Sequence, residues 1–399
     1  MSIRKSIAAA FILGSLLLPS SVSAQFNWPY KVTNGKAVTE VPVRAAGQES
    51  ALNMTTPKLK VVRVAFVGLG MRGHDAVERW THIPGIQVMA LCDYERGRAE
   101  RCQEYLRKAS MLAADIYSGE DGYKELCKRK DIDLVYIAPD WKHHFLVAYE
   151  AMNNGKHVAV EVPAAMNLTE IWKLIDISEK KRLHCMMLEN CCYDFFELNS
   201  LNMAQNNVFG EVLYVQGAYR HELSKFWDAY WKKDAQDKLG WRLEYNQKFR
   251  GDVYATHGLG PVAQCLDIHR GDRFTVLTAM DTKSVHGKEY MEKATGEPCN
   301  DYRNGDHTTT LMRTANGKVV EIQHNVMNPQ PYNRLFKLTG TKGYATKYPQ
   351  PKFALDSKQL QESGVSPKID NLSSHGFLPD AEAKKLEEKY EHPIIKKYG

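Results

Sequence analysis

The stretch VVRVAFVGLGMRG, residues 61–73, narrows the choice of fold more than any other part of the chain. An apolar, largely β-branched run stops at Gly68, Gly70 and Gly73, and a helical pattern opens directly behind it. A run of this kind is a strand buried on both faces. Glycines at these three places serve a tight turn, a close approach of backbone to a ligand, and the packing of helix on strand. The same unit then recurs: IQVMALCD is a second strand, RGRAERCQEYLRKA a helix, DIDLVYIAP a third strand, followed by a helix through Met152 and by HVAVEVP. Alternating strands and helices of these lengths imply right-handed crossovers around a buried parallel sheet. Residues 61–185 are therefore expected to form a doubly wound α/β Rossmann domain.

The rhythm breaks after Lys181. RLHCMMLEN and EVLYVQGAYRHEL read as strands without regular helical crossovers, and longer β segments follow with hairpin-like turns at Asn316-Gly317 and Lys342-Gly343. Residues 186–348 are expected to be a second, α/β domain with an open, mostly antiparallel sheet, and 349–399 a tail. Residues 25–60, polar and aperiodic, read as an arm or linker. The start of the chain has Arg4 and Lys5, an apolar stretch through Leu18 and the small residues Val22-Ser23-Ala24, the pattern of a cleaved secretory leader over residues 1–24. Its apolar stretch falls short of the roughly 20 residues of a membrane span. Export, with the periplasm as destination and no membrane span after cleavage, is the expectation. The net charge of +6 is spread along 399 residues with no basic block, so nucleic acid is not an expected partner. Eight cysteines show no C-x-x-C pair, which argues against zinc, and several sit inside apolar runs as free thiols would.

The glycine turn implies a dinucleotide whose pyrophosphate rests on the helix N-terminus. Asp93 closes the next strand about 20 residues on, where a carboxylate hydrogen-bonds ribose hydroxyls and repels a 2′-phosphate; NAD is the expected cofactor. APDWKHH follows the third strand at its carboxyl edge, so Trp141 and His144 are candidates to pack on the cofactor. Glu161 ends the next strand on that edge, facing the nicotinamide side.

Together, Gly68 to Gly73, Asp93, APDWKHH and EVP resemble the glucose–fructose oxidoreductase and inositol dehydrogenase family. That family carries a lysine between the glutamate and the proline, and here the residue is Val162. The branch that also lacks the lysine is glycoside hydrolase family 109, the NAD-dependent α-N-acetylgalactosaminidases. MMLENCCYDFFEL, WRLEYNQKFRGDVYATHGLGPVAQ and NPQPYNRLFKLTGTKG resemble that branch closely. The resemblance implies cofactor contacts at Met71, Arg72 and Asn190, with Glu161 and Val162 beside them, and substrate contacts at Tyr219, Arg242, Tyr254, His257 and Tyr332. It implies a terminal α-linked amino sugar as substrate and leaves a homo-oligomer open, since open sheets in this family often pair face to face. It also implies a chain that continues past IIKKYG, whereas this one stops at Gly399, truncated or diverged.

Most glycosidases set two carboxylates across the scissile bond, and Glu222, Glu244 and Asp252 are scattered among polar neighbours. A redox route needs other parts: NAD to oxidise C3 of the sugar transiently, a base at the C3 hydroxyl and a second base at C2. The cofactor ends as it began, so it should be held tightly. Histidine exchanges protons near neutrality, which suits His257 to the first role; Tyr254, three residues earlier, and Tyr332 are nominated for the second, although a tyrosine more often packs than reacts. Two rival readings stay open, an exported sugar oxidoreductase with a trapped cofactor and a non-catalytic sugar- or cofactor-binding relic.

Overall fold

The computed structural model describes residues 28–223, 231–233, 237–365 and 376–399. The leader read at residues 1–24 lies outside them. The chain divides into two compact units, Met1–Val158 with Ala164–Cys185, and Ala159–Pro163 with Met186–Gly399.

The first unit opens on an exposed hairpin of β1 (Tyr30–Thr33) and β2 (Lys36–Thr39). Then β3 (Val62–Val67), α1 (Met71–Trp80), β4 (Ile86–Asp93), α2 (Arg96–Lys108), β5 (Asp115–Ser118), α3 (Gly122–Lys128), β6 (Leu134–Ile137), α4 (Trp141–Asn153), β7 (His157–Val160), α5 (Leu168–Lys181) and β8 (Cys185–Met187) alternate. The strands lie in the order β5-β4-β3-β6-β7-β8, and the pairs β3–β4, β4–β5 and β3–β6 are parallel. The chain steps outward from β3 to β5, then returns to the other side of β3 with β6, so the strand order reverses between β3 and β6. That reversal opens the crevice in which doubly wound folds take their ligand. Val64, Ala65 and Phe66 are fully buried, as a strand covered on both faces requires. Residues 44–50 of the arm lie along α5: Arg44 holds Glu179 through two hydrogen bonds of 2.7 and 2.9 Å, and Arg182 donates to the carbonyls of Glu49 and Ser50.

The second unit carries a 3-10 turn (Asn190–Tyr193), α6 (Phe195–Gln205), β9 (Val212–Arg220), α7 (Trp241–Lys248), α8 (Thr256–Cys265), β10 (Phe274–Asp281), α9 (His286–Thr295), β11 (Thr308–Thr314), β12 (Val319–Asn325), β13 (Lys337–Gly340), β14 (Gly343–Thr346) and β15 (Lys352–Leu355). After these come α10 (Ser357–Ser363), α11 (Asp380–Lys389) and α12 (Pro393–Tyr398). Its sheet has the order β10-β11-β12-β9-β13-β14-β15, antiparallel except where β12 meets β9. One face is apolar, with Val215, Val320, Ile322 and Leu338 packed against Met203 of α6 and Val262 of α8. The other carries a polar ladder in which Tyr214, Gln216 and Gln323 all donate to the Glu321 carboxylate.

The stretch expected as a tail, 349–399, departs from that description. Phe353, Leu360, Leu378 and Leu386 are almost completely buried in the core of the second unit, and β15 extends its sheet. These apolar positions, Phe353 on a short strand, Leu360 and Leu386 on short helices and Leu378 in a loop, are spaced among lysines and glutamates, which makes the segment read as solvated when the core it joins is out of view.

Candidate functional site

In the first unit the three glycines do different work. Gly68 has φ +87°, and a Cβ there would fall 2.2 Å from the Pro139 nitrogen. A Cβ on Gly73 would fall 1.7 Å from the Gly68 carbonyl oxygen. Around Gly70, by contrast, the nearest atom to a Cβ would be Arg98 Nη1 at 3.8 Å, so the backbone there is open. Gly70 caps α1 without a side chain, leaving the first amides of a ten-residue helix for an anion. Met71 and Arg72 form the exposed start of that helix. Asp93 is buried behind the turn: Oδ2 accepts from the Leu69 N–H at 2.6 Å and Oδ1 from the Glu95 N–H at 3.0 Å, with Arg98 Nη1 3.7 Å away. The carboxylate thus fixes the glycine turn, and its remaining lone pairs are those available to a ribose. Trp141 and His144 begin α4, capped by Asp140, and both side chains are buried. The open backbone over Gly70, the uncapped helix and the carboxylate at the end of β4 fit a dinucleotide.

In the second unit α8 lies so close to β9 that backbone touches backbone. A Cβ on Gly217 would stand 2.1 Å from the Gly258 oxygen, and one on Gly258 would stand 2.4 Å from the Ala218 nitrogen. This contact sets His257, the residue before Gly258, beside Tyr219 of β9, with ring centroids 4.8 Å apart. Tyr254, in the turn leading into α8, meets the imidazole edge-on at 4.7 Å and the Tyr219 ring at 5.1 Å. Its hydroxyl donates to the Val162 carbonyl at 3.4 Å. The Arg242 guanidinium lies 5.2 Å from the Tyr254 ring centre. Tyr332, half exposed, reaches this group through His221, whose ring is 4.9 Å from Tyr332 and 4.7 Å from Tyr219. Of the residues nominated from the sequence, Tyr219, Arg242, Tyr254, His257 and Tyr332 form one cluster, and Val162 touches it. Asn190 is exposed at the start of the 3-10 turn.

Three members of the cluster have no counterpart among the nominated residues. Glu189 is 5 % exposed and takes a hydrogen bond from His257 Nδ1 at 2.6 Å and another from the Cys191 N–H at 3.0 Å. Burial opposes its charge, but the bond from His257 and the imidazole's field win, holding the carboxyl below its usual range. Cys191 Sγ lies 3.3 Å from His257 Nδ1, and burial pushes its thiol well above the usual range. His221 is the third; burial first, then the Arg242 charge, lowers it to about 4, so it is neutral. Burial also keeps Tyr254 a phenol, with Arg242 pulling the other way. A signal for Glu189 did exist: like Glu161, it is a carboxylate ending an apolar run, in HCMMLE.

The bond at Nδ1 decides the chemistry of His257. A carboxylate there accepts a hydrogen bond from Nδ1–H, which holds the neutral ring in the tautomer whose Nε2 keeps its lone pair and can serve as a base. Two tyrosine hydroxyls and a guanidinium beside it suit a substrate rich in hydroxyl groups.

Two family models divide the chain. Residues 62–189 match an oxidoreductase family with an NAD-binding Rossmann fold, and residues 193–399 match the C-terminal domain of glycosyl hydrolase 109. The sequence is 65 % identical over 403 residues to glycosyl hydrolase family 109 protein 5 of Phocaeicola vulgatus, covering 99 % of this chain and 77 % of that one. It is 56 % identical over 359 residues to family 109 protein 1 of Bacteroides fragilis, covering 90 % and 76 %. Among solved structures, a levoglucosan dehydrogenase in complex with NADH and L-sorbose superposes with a TM-score of 0.59 at 17 % identity, over 86 % of this chain and 91 % of that one. Myo-inositol 2-dehydrogenase from Lactobacillus plantarum gives 0.57 at 12 % identity, over 84 % and 90 %. At such identities the structures bear on the fold alone.

Proposed function

Because this chain belongs to glycosyl hydrolase family 109 and carries an NAD-binding Rossmann domain, we propose that it hydrolyses terminal α-linked N-acetylgalactosaminides by transient oxidation at C3 of the sugar. The observation that carries this reading is the Glu189–His257 pair. The carboxylate that the fold brings to the site is buried and turned onto an imidazole, where it orients a base instead of attacking a sugar. The chemistry NAD supplies when bound is hydride transfer from and back to C3, with no net oxidation over a turnover.

His257 Nε2 takes the proton of the C3 hydroxyl and returns it at the end. Once C3 is a ketone, the C2 proton is acidic; Tyr254 or Tyr332, a phenol, receives it while handing its own hydroxyl proton to the departing C1 oxygen, so the tyrosine stays neutral as the C1–O bond breaks. Water then adds at C1 and the C2 proton is restored. Tyr219 and Arg242 fix the ring of the sugar against His257. Val162 stands where related dehydrogenases place a lysine; its apolar side chain leaves proton transfer to His257, which suits an enzyme that must not release the ketone.

Hydrolysis of a nitrophenyl α-N-acetylgalactosaminide in D₂O tests the route. Elimination and readdition place deuterium at C2 of the released sugar, whereas direct displacement leaves C2 untouched. Active enzyme that yields only protium at C2 would overturn the mechanism, and net release of oxidised sugar would restore a dehydrogenase. Export completes the proposal and rests on the leader at residues 1–24; a reporter fused behind those residues should be recovered outside the cytoplasm. Among the described residues, no helix is long and apolar enough to cross a membrane.

A further inference from the structure

The second unit gathers a carboxylate, a thiol and an imidazole where each has a donor atom within 4.8 Å of the others. Glu189 caps the 3-10 turn that carries Cys191 two residues on, and His257 comes from α8. We infer that Glu189, Cys191 and His257 form a binding site for a thiophilic divalent cation, Zn²⁺ in the first instance, and that the bound ion switches off the His257 base.

The donors have the right kinds and nearly the right spacing. Zinc takes sulfur at about 2.3 Å and nitrogen or oxygen at about 2.0–2.2 Å in a tetrahedron. That geometry sets nitrogen and sulfur about 3.6 Å apart, and nitrogen and oxygen about 3.3 Å apart. His257 Nδ1 lies 3.3 Å from Cys191 Sγ and 2.6 Å from Glu189 Oε1, so the sulfur must draw back by about 0.3 Å and the carboxylate oxygen by about 0.7 Å. Glu189 also has a spare ligand atom: its Oε2 is buried and has no hydrogen-bond partner among the described residues. Glu189 packs closely on α8, where a Cβ on Gly260 would fall 2.9 Å from Glu189 Cγ.

Charge balance favours the ion as well. A thiolate and a carboxylate neutralise a dication, so the loaded site buries no net charge, and water fills the fourth position. On binding, the Cys191 thiol proton leaves to solvent. The proton on His257 Nδ1 gives way to the metal, and Nε2 becomes the protonated nitrogen of the neutral ring. An imidazole bound in this way offers Nε2 as a donor, whereas the Glu189 hydrogen bond leaves it an acceptor. The effect on turnover rests on the role proposed above for His257; the binding does not.

Co²⁺ is the probe for the site, because a thiolate ligand gives it a charge-transfer band in the near ultraviolet. The full chain, stripped with chelator and equilibrated with Co²⁺, should take up one ion, show that band, and lose it to Zn²⁺. Cys191→Ser should abolish the band and weaken binding by more than the roughly 10- to 100-fold that loss of a residue merely supporting a ligand costs. Cys191→Ala and Glu189→Gln provide further folded variants for the same measurement. Zn²⁺ should lower the turnover of the unaltered protein and spare that of Cys191→Ser. Failure to take up cobalt, or a band unchanged in both Cys191 variants, would overturn the site. Zinc uptake as described by a protein without glycosidase activity would uphold the site and sink the proposed function instead.

Discussion

At the scale of single residues, the 2.6 Å contact between Glu189 and His257 carries the most consequence. Glu189→Gln is nearly isosteric, but its amide can donate to Nδ1 and so stabilise the tautomer in which Nε2 holds the proton. Turnover on an active substrate should fall by roughly 10²- to 10⁴-fold, the range for loss of a working general base, with melting temperature and bound NAD little changed. Equal turnover in the variant would return the pair to a structural role. Asp252 poses a different question. Its Oδ1 accepts the Tyr254 N–H at 3.0 Å, while Oδ2 is buried beside Ala255, Leu259 and Met312 without a hydrogen-bond partner among the described residues. Burial raises this carboxyl to about 7. A raised folded-state pKa means that its contribution is fully present below the unfolded value of about 4 and is lost as pH rises toward about 7. Asn cannot ionise and keeps the Oδ1 acceptor. Thermal melts should therefore show Asp252→Asn gaining stability over the parent at pH 8 relative to pH 5; an equal difference at both would mean an ordinary carboxyl.

At the scale of elements, the close approach of α8 to β9 is what turns a histidine on a helix and a tyrosine on a strand into one site. Gly258→Ala puts a methyl group within 2.4 Å of backbone that cannot give way. The helix must lift off the strand, at a cost of about 1–3 kcal/mol as for other overpacked positions, and His257 moves away from Tyr219. Denaturant midpoint and turnover should fall together in this variant, and normal activity at reduced stability would separate packing from site geometry. Much of the first unit at this scale was legible in advance. The strand-to-helix alternation from Val61 onward and the glycine pattern declare themselves locally, because the periodicity, the positive φ of Gly68 and the contact of Gly73 with Gly68 involve near neighbours in sequence, although Gly68 also answers to Pro139. THGLGP was legible as a motif, but the reason for its glycines was not: Gly258 answers to Gly217 and Gly260 to Glu189, each from a distant segment.

At the scale of the whole molecule, the described parts of the stretch expected as a tail, residues 349–365 and 376–399, contribute to the core of the second unit. Phe353 is 1 % exposed, stacked on Phe196 at 5.1 Å and on Phe209 at 6.5 Å. Phe353→Ala should cost about 3–5 kcal/mol, the range for emptying a large buried aromatic site, read as a lower urea midpoint. A change below about 1 kcal/mol would mean that this stretch is dispensable, as its composition suggests.

The sequence by itself determined the Rossmann topology, the cofactor and the family. Buried strands, glycine turns and the identities of Tyr254 and His257 are encoded within short windows, where pattern reflects backbone geometry directly. Only the tertiary structure decided the surroundings of His257. The imidazole has two nitrogens, and which one faces a carboxylate depends on Glu189, 68 positions earlier in the chain. Its approach requires a 3-10 turn, a helix and a strand to close on one another at glycine contacts. No local pattern encodes that meeting, because a hydrogen bond between buried groups exists only after the surrounding core has removed the water that would otherwise satisfy both.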